Sequence, residues 1–230
     1  VSQSLQAALA AGVRSLGLNL SDGQIGQLLD FLALLQKWNR VYNLTAVREP
    51  GDMLTHHLLD SLAAVPALQR QLAAQAGAGQ AASTLLDVGS GGGLPGVVFA
   101  ICLPELAVQC VDTVAKKAAF VQQVAVSLRL PNLRGVHARV ESLAGSFDIV
   151  SSRAFASLTD FTAWSQAALA PGGIWLAMKG KHPAEELAAL PGGVEVFHVE
   201  PLRVPGLDAE RCIVWMRHGA NPAGAPDALT

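Results

Sequence analysis

Residues 85–96 read Leu-Leu-Asp-Val-Gly-Ser-Gly-Gly-Gly-Leu-Pro-Gly. An apolar run feeds a glycine cluster, and Pro95 stands where the first turn of a following helix tolerates a missing N–H. Four glycines in five residues let main chain fold tightly at the carboxyl end of a strand and let a ligand touch backbone directly, at an entropic cost a plain turn does not need. Asp87, Gly89, Ser90 and Gly91 are therefore candidates for holding a nucleotide-like cofactor. Gly91 to Gly96 satisfies G-x-G-x-x-G, a weak match on its own. Counted from the strand end, the frame is Asp87-x-Gly89-x-Gly91-x-Gly93, with a carboxylate at the mouth of the turn. A dinucleotide would press pyrophosphate against that anion. S-adenosyl-L-methionine brings an ammonium and a sulfonium and no phosphate, so an acidic lip favours the methyl donor.

A second carboxylate, Asp112, ends the next apolar run, about twenty residues past the glycines, where an acid accepts hydrogen bonds from ribose hydroxyls. Both cofactors carry such a ribose, so Asp112 points to a nucleoside without choosing between them. Capping the helix that follows is compatible with the same role. Val140 and Glu141 come after the third run and are placed to hold an adenine edge, the plain alternative for Glu141 being a solvated helix start. Cys102, Cys110 and Cys212 have neither zinc-type spacing nor a nearby His and read as small buried apolar groups in a reducing compartment. His56 and His57 lack a third suitably spaced ligand, so no metal is expected.

These side chains need a scaffold. The chain has 230 residues, 51% of them hydrophobic and 15% charged, with mean hydropathy +0.36, which suits one α/β domain with an appendage and excludes global disorder. The longest apolar run, 94–103, falls well short of the ~18 residues of a membrane span. Arg14 interrupts the first twenty residues, so no secretory head is read and a cytoplasmic enzyme is expected. Residues 1–75 read as a helical subdomain. Ser21 caps a helix along which Ile25, Leu28, Leu29, Leu32 and Leu35 recur, ending at Trp38; a polar break spans 39–49, and Pro50 opens a further helix. The small-residue stretch 76–83 reads as a linker and the tail 218–230 as disordered. Over 84–217 short apolar runs at 84–88, 107–111, 133–138, 147–151, 173–178, 195–200 and 211–217 alternate with helical stretches at 95–103, 114–128, 158–169 and 184–190. That rhythm predicts a Rossmann-like, seven-stranded, mostly parallel sheet. The last two strands are joined too closely for a crossover and should pair antiparallel.

Charge is uneven. Residues 1–109 hold 5 basic and 7 acidic groups, 110–181 hold 8 and 4, and 182–230 hold 3 and 7. A net charge of −2 argues against a general nucleic-acid coat, and any polyanion should meet the middle third.

The run 85–96, Val111-Asp112-Thr113-Val114-Ala115-Lys116-Lys117 with Phe120, Ser152-Arg153-Ala154-Phe155-Ala156-Ser157-Leu158 and Ala177-Met178-Lys179-Gly180 together resemble the bacterial 16S rRNA guanine-N7 methyltransferase family, also called glucose-inhibited division protein B. Upstream, Trp38 to Ala46 and His57 to Ser61 match the same family's helical part, and the likeness covers about residues 20 to 217. It departs at Thr113, where Ser is expected, and at Lys117, where Arg is common. The resemblance implies a class I methyltransferase acting on N7 of one guanine of 16S rRNA, in the 30S subunit or a precursor. It carries cofactor contacts to Gly89, Leu94, Val140, Glu141 and Arg153, and places Asn39, Tyr42, Asn43, His57 and Asp60 along the active cleft; a capped structural corner is the other account of these last residues.

Guanine N7 carries no proton, so no general base is required and positioning can do the work. Arg153 is the expected catalytic group, orienting the donor's carboxylate, a phosphate or guanine O6, with a surface ion pair as its ordinary alternative. Phe155 is either a stacking partner for the target base or core. Lys179 and Lys181, with Lys116, Lys117, Arg129, Arg134 and Arg139, are candidate phosphate contacts, each alone explicable as a solvated charge. Two other readings stay open: an NAD-dependent oxidoreductase using the same glycine turn, and a non-catalytic nucleoside-binding regulator associated with the ribosome.

Overall fold

The apolar runs become strands β1 (Thr84–Val88), β2 (Ala107–Asp112), β3 (Leu133–His137), β4 (Phe147–Arg153), β5 (Leu169–Lys179), β6 (Val194–Leu202) and β7 (Arg211–His218) in a computed structural model, which describes residues 3–77, 79, 84–143 and 145–219. They hydrogen-bond in the order β3-β2-β1-β4-β5-β7-β6. The first five are parallel, whereas β7 runs antiparallel to β5 and to β6. Strand order reverses between β1 and β4, where Val88 lies beside Ser152. A crevice opens at the carboxyl edge of such a reversal.

Period-two alternation assigns the two faces. Leu85, Ile149, Ile174, Leu176, Ile213 and Trp215 point to one core; Leu86, Val150, Trp175, Val214 and Met216 point to the other. The first core is also filled by α6 (Gly96–Cys102), α7 (Ala115–Ser127) and the N-terminal helices, the second by α8 (Leu158–Ser165). Helix α9 (Ala184–Ala188) leads into the β6–β7 pair. Gly135 of β3 makes the α7 contact possible, since a Cβ there would stand 2.4 Å from the Ala118 carbonyl oxygen.

The N-terminal helices are α1 (Gln3–Ser15), α2 (Asp22–Tyr42), α3 (Pro50–Met53), α4 (Asp60–Leu62) and α5 (Val65–Gly77), with a π-helical turn, Leu54–Leu59, joining α3 to α4. Ser21 caps α2 as expected, in a reciprocal box with Gln24. An ion pair between Arg70 and Glu200 ties α5 to β6.

Two differences from the sequence reading have physical reasons. Helix α2 continues past Trp38 to Tyr42, because no breaker precedes Asn43, which takes the left-handed conformation (φ 50°) and donates its N–H to the Asn39 carbonyl. Asn39 therefore lies inside a helix. Helix α8 stops at Ser165 and tightens into a 3-10 turn over Gln166–Ala168, after which Leu169 pairs with Phe147 across β4 and β5 and ends the helical stretch. Ala76 and Gly77 of the expected linker continue α5, and His218 of the expected tail pairs with Val194 at the end of β7; the linker positions 78 and 80–83 and the tail positions 220–230 lie outside the described residues. Among the described residues no helix is long and apolar enough to cross a membrane.

Candidate active site

The parallel strands β1, β2, β4 and β5 end along one edge, and the antiparallel β7 begins there, with Cys212 beside Lys179. This edge brings Gly89, Asp112, Arg153, Lys179 and Arg211 around two cavities. One, of about 550 Å³, lies between the glycine turn and the N-terminal helices; the other, of about 460 Å³, lies over the ends of β1 and β2. They share Gly89, Lys117 and Ala154.

The glycine turn closes on β2, with the Gly89 and Ser90 N–H groups donating to the Val111 carbonyl at 2.9 and 3.2 Å. Gly89 has φ +65°, and a Cβ on it would stand 2.1 Å from the Phe155 ring, so only glycine fits. Asp112 accepts from the Gly91 N–H at 3.0 Å and the Val114 N–H at 2.8 Å. Its carboxylate thereby holds the turn while lining the smaller cavity, where Val140 and Glu141 also lie. Ala154 is at φ +51°, strained for a residue with a Cβ, on the wall common to both spaces.

Asp87 is placed differently from the acidic lip the sequence suggested. It is 0% exposed, lines neither cavity, and accepts hydrogen bonds from the Gly96 N–H at 3.0 Å and the Ser151 hydroxyl at 2.9 Å. Burial pushes its pKa up from 3.8 to about 7. It braces the turn from beneath, and the acidic groups that face the smaller cavity are Asp112 and Glu141.

On the opposite wall of the larger cavity, Asp60 is 3% exposed and takes two guanidinium groups at once, Arg153 at 2.6 Å and Arg211 at 2.8 Å. Arg153 also donates to the His56 carbonyl at 2.9 Å. One carboxylate against two cations leaves a net positive charge. His57 lines the same cavity with Nε2 2.8 Å from the Thr45 hydroxyl; burial, reinforced by Arg153, pulls its pKa down from 6.5 to about 4, so it is neutral at physiological pH. The π-helical turn aims His56 and His57 at the strand edge and delivers Asp60 just beyond it.

Asn39 and Asn43 line neither cavity. Asn39 is buried, accepts from the Thr45 N–H at 2.8 Å and donates to the Val47 carbonyl at 3.3 Å, while Asn43 ends α2. They build the corner that presents Thr45 to His57. Phe155 lines the smaller cavity and not the larger, edge-on to Phe161 and Trp164. Lys179 lines the larger cavity, with Nζ held by Glu186 at 2.8 Å and the Ala156 carbonyl at 2.9 Å. Arg129 and Arg134 lie beside a separate hollow at the amino-terminal end of β3, across the sheet from this edge. Sequence reading missed Arg211, which no motif marks: an antiparallel strand brings its first residue to where parallel strands end. Ala154 was named only as part of its motif, because a backbone angle leaves no trace in residue type. Among the described residues no group of three or more His, Cys, Asp or Glu is placed to hold a metal ion.

The donor set suits a nucleoside carrying an amino acid. Asp112 and Glu141 face the smaller cavity beside Lys117 and Arg139, cations outnumber the lone carboxylate of Asp60 in the larger, and main chain without a side chain joins the two at Gly89. The fold is shared with TrmN from Thermus thermophilus (TM-score 0.51, 20% identity, 72% of this chain and 53% of that one) and with a ribosomal protein L11 methylase from Lactobacillus delbrueckii subsp. bulgaricus (TM-score 0.51, 13% identity, 70% and 79%). Proteins called ribosomal RNA small subunit methyltransferase G are much closer in sequence: that of Acidovorax ebreus (strain TPSY) is 71% identical over 93% of this chain and 96% of its own length, and that of Paracidovorax citrulli (strain AAC00-1) is 68% identical over 96% of each. A family model described as rRNA small subunit methyltransferase G matches residues 24–214, a span that takes in most of the capped helix, the π-helical turn, the glycine cradle and Arg211. The chain belongs to the rRNA small subunit methyltransferase G family, whose methyl donor is S-adenosyl-L-methionine.

Proposed function

We propose that this chain transfers a methyl group from S-adenosyl-L-methionine to N7 of a guanine in 16S rRNA of the small ribosomal subunit, presented by the 30S particle or a precursor. The observation that carries the proposal is the meeting of two chemically distinct cavities at Gly89 and Ala154, which suits a nucleoside on one side and a reacting base on the other. The donor supplies an electrophilic methyl on sulfur.

The chain's own contribution is placement and electrostatics. Asp112 and Glu141 accept from ribose hydroxyls and the adenine amino group, and Phe155 covers the nucleoside. Guanine N7 has a free lone pair, so no side chain need take a proton, and the purine becomes cationic as the carbon–nitrogen bond forms and the carbon–sulfur bond breaks. A cleft for that event should not crowd the base with positive charge. Keeping His57 neutral and letting Asp60 balance part of the Arg153 and Arg211 charge lowers the positive charge that the base meets. Arg153 is thereby a fixed cation that orients an anionic or carbonyl group of the reactants.

Arg153→Ala should lower methyl transfer to under-methylated 30S particles about 100-fold or more, while Asp60 keeps Arg211 and the fold survives. Arg153→Lys should not restore the rate: Nη1 alone makes both bonds, to Asp60 and to the His56 carbonyl, and an ammonium in its place has no second nitrogen to present to the reactants. Transfer assays beside thermal melts check this; full activity in Arg153→Ala would remove Arg153 from the site.

A further inference from the structure

The end of α2 carries an aromatic side chain that packing alone does not call for. Tyr42, the only tyrosine of the chain, is 40% exposed, and Val41 beside it is 69% exposed. Tyr42 is the outermost ring of a ladder. Phe31 and Phe120 stack with centroids 6.4 Å apart, Phe120 meets Trp38 at 5.4 Å, and Trp38 meets Tyr42 at 5.2 Å. Phe31 and Phe120 are fully buried, so the ladder fixes the outer ring to the core and leaves it little rotamer entropy to lose on binding. The ammonium of Lys116 lies 5.3 Å from the Tyr42 ring centre, within cation–π range.

Its position links this pair to the cleft. Leu44 and Thr45, two and three residues beyond Tyr42, line the larger cavity, and Lys117, next to Lys116, lines both. Arg40 and Arg48 are exposed on the same stretch, with the acidic Glu49 and Asp52 following. A rigid ring with a lysine beside it, at the rim of a cleft that receives a base, has the composition by which single-stranded nucleic acid is held: stacking on a π-face, with charge on the backbone. A second protein surface would be served as well by Val41 and Tyr42 but gains nothing from a lysine placed over the ring.

We propose that Tyr42, anchored by Trp38, is a stacking platform for an unpaired nucleobase adjacent to the methylated guanine, and that Lys116 contacts the phosphate between the two. The platform rests on the assignment of 16S rRNA as substrate and adds to it a contact outside the methyl-transfer cavity.

The test is steady-state methyl transfer to under-methylated 30S particles by the wild type, Tyr42→Ala, Tyr42→Phe and Lys116→Ala, with S-adenosylhomocysteine titration, thermal melts and sedimentation of each. Tyr42→Ala should raise the KM for particles about 5- to 30-fold, with kcat and S-adenosylhomocysteine affinity within about twofold of wild type. Tyr42→Phe keeps the π-face and should keep the wild-type KM. Lys116→Ala should raise KM several-fold and reduce the slope of log affinity against log salt by about 0.7. An unchanged KM in Tyr42→Ala overturns the proposal. So does a Tyr42→Phe variant as impaired as Tyr42→Ala, a parallel fall of kcat, cofactor affinity and melting temperature in Tyr42→Ala, or a change of oligomeric state in that variant with KM unaltered. Wild-type protein that transfers nothing to the particle would remove the substrate assignment and the platform with it, and is told apart because it shows before any variant is assayed.

Discussion

Gly89 is where the proposed cofactor site has least room. Its backbone is left-handed, and a Cβ there would stand only 2.1 Å from the Phe155 ring, so Gly89→Ala must either shift the turn or drive Phe155 off the nucleoside cavity. We expect S-adenosylhomocysteine affinity to fall at least 10-fold by calorimetry while melting changes by only a few degrees, backbone strain of this kind being worth about 1–3 kcal/mol. Asp87 and His57 make opposite contributions to stability against pH. Asp87 is protonated more readily in the fold, so its contribution is complete below 3.8 and is lost as pH rises through about 7. His57 resists protonation in the fold, so its contribution is complete above 6.5 and is lost as pH falls through about 4. Between about pH 4 and 6.5 the two slopes offset each other. Asp87→Asn should therefore gain stability relative to wild type as pH rises from about 4 to 7, and His57→Gln should gain as pH falls from 6.5 to about 4, both read as urea midpoints. The glycine turn and Asp112 were legible in the sequence because residue type alone dictates their local chemistry. The orientation of Asp87 was not, since a carboxylate at a strand end can face outward or brace the turn from within, and the Ser151 hydroxyl and Gly96 N–H that decide the matter come from other elements.

The elements were legible wherever one period dominated. Every strand was located from its apolar run, and the antiparallel β6–β7 pair followed from a connection too short for a helix. The π-helical turn Leu54–Leu59 was not legible, since it differs from an α-helix by one residue of hydrogen-bond register and carries the same apolar pattern. That turn matters functionally, because it sets where His56, His57 and Asp60 meet the strand edge. The join of β3 to α7 depends on the missing side chain of Gly135, whose Cβ would meet the backbone of Ala118 and Gln122 at 2.4 and 2.9 Å. Backbone cannot rotate aside as a side chain can. Gly135→Ala should destabilise the protein by about 1–3 kcal/mol in urea unfolding. Unfolding is the readout here, because the displaced helix α7 also carries Lys116 and Lys117.

At the scale of the whole molecule, the N-terminal helices and the sheet share one apolar core, and the site lies across the seam between them. The sheet supplies Gly89, Asp112, Arg153 and Arg211; the helices supply His57 and Asp60, and the Asp60 carboxylate joins the two parts through its pair of arginines. A chain of net charge −2 has no general attraction for RNA, so the proposed function assigns recognition to the basic middle third and the rim beside it. The most direct measurement is to incubate the protein with under-methylated 30S particles and isotopically labelled S-adenosyl-L-methionine, then map 16S rRNA by mass spectrometry. The account predicts one labelled methyl on N7 of a single guanine, absent with Arg153→Ala. Label on another atom, on many guanines, or nowhere in 16S rRNA would contradict it.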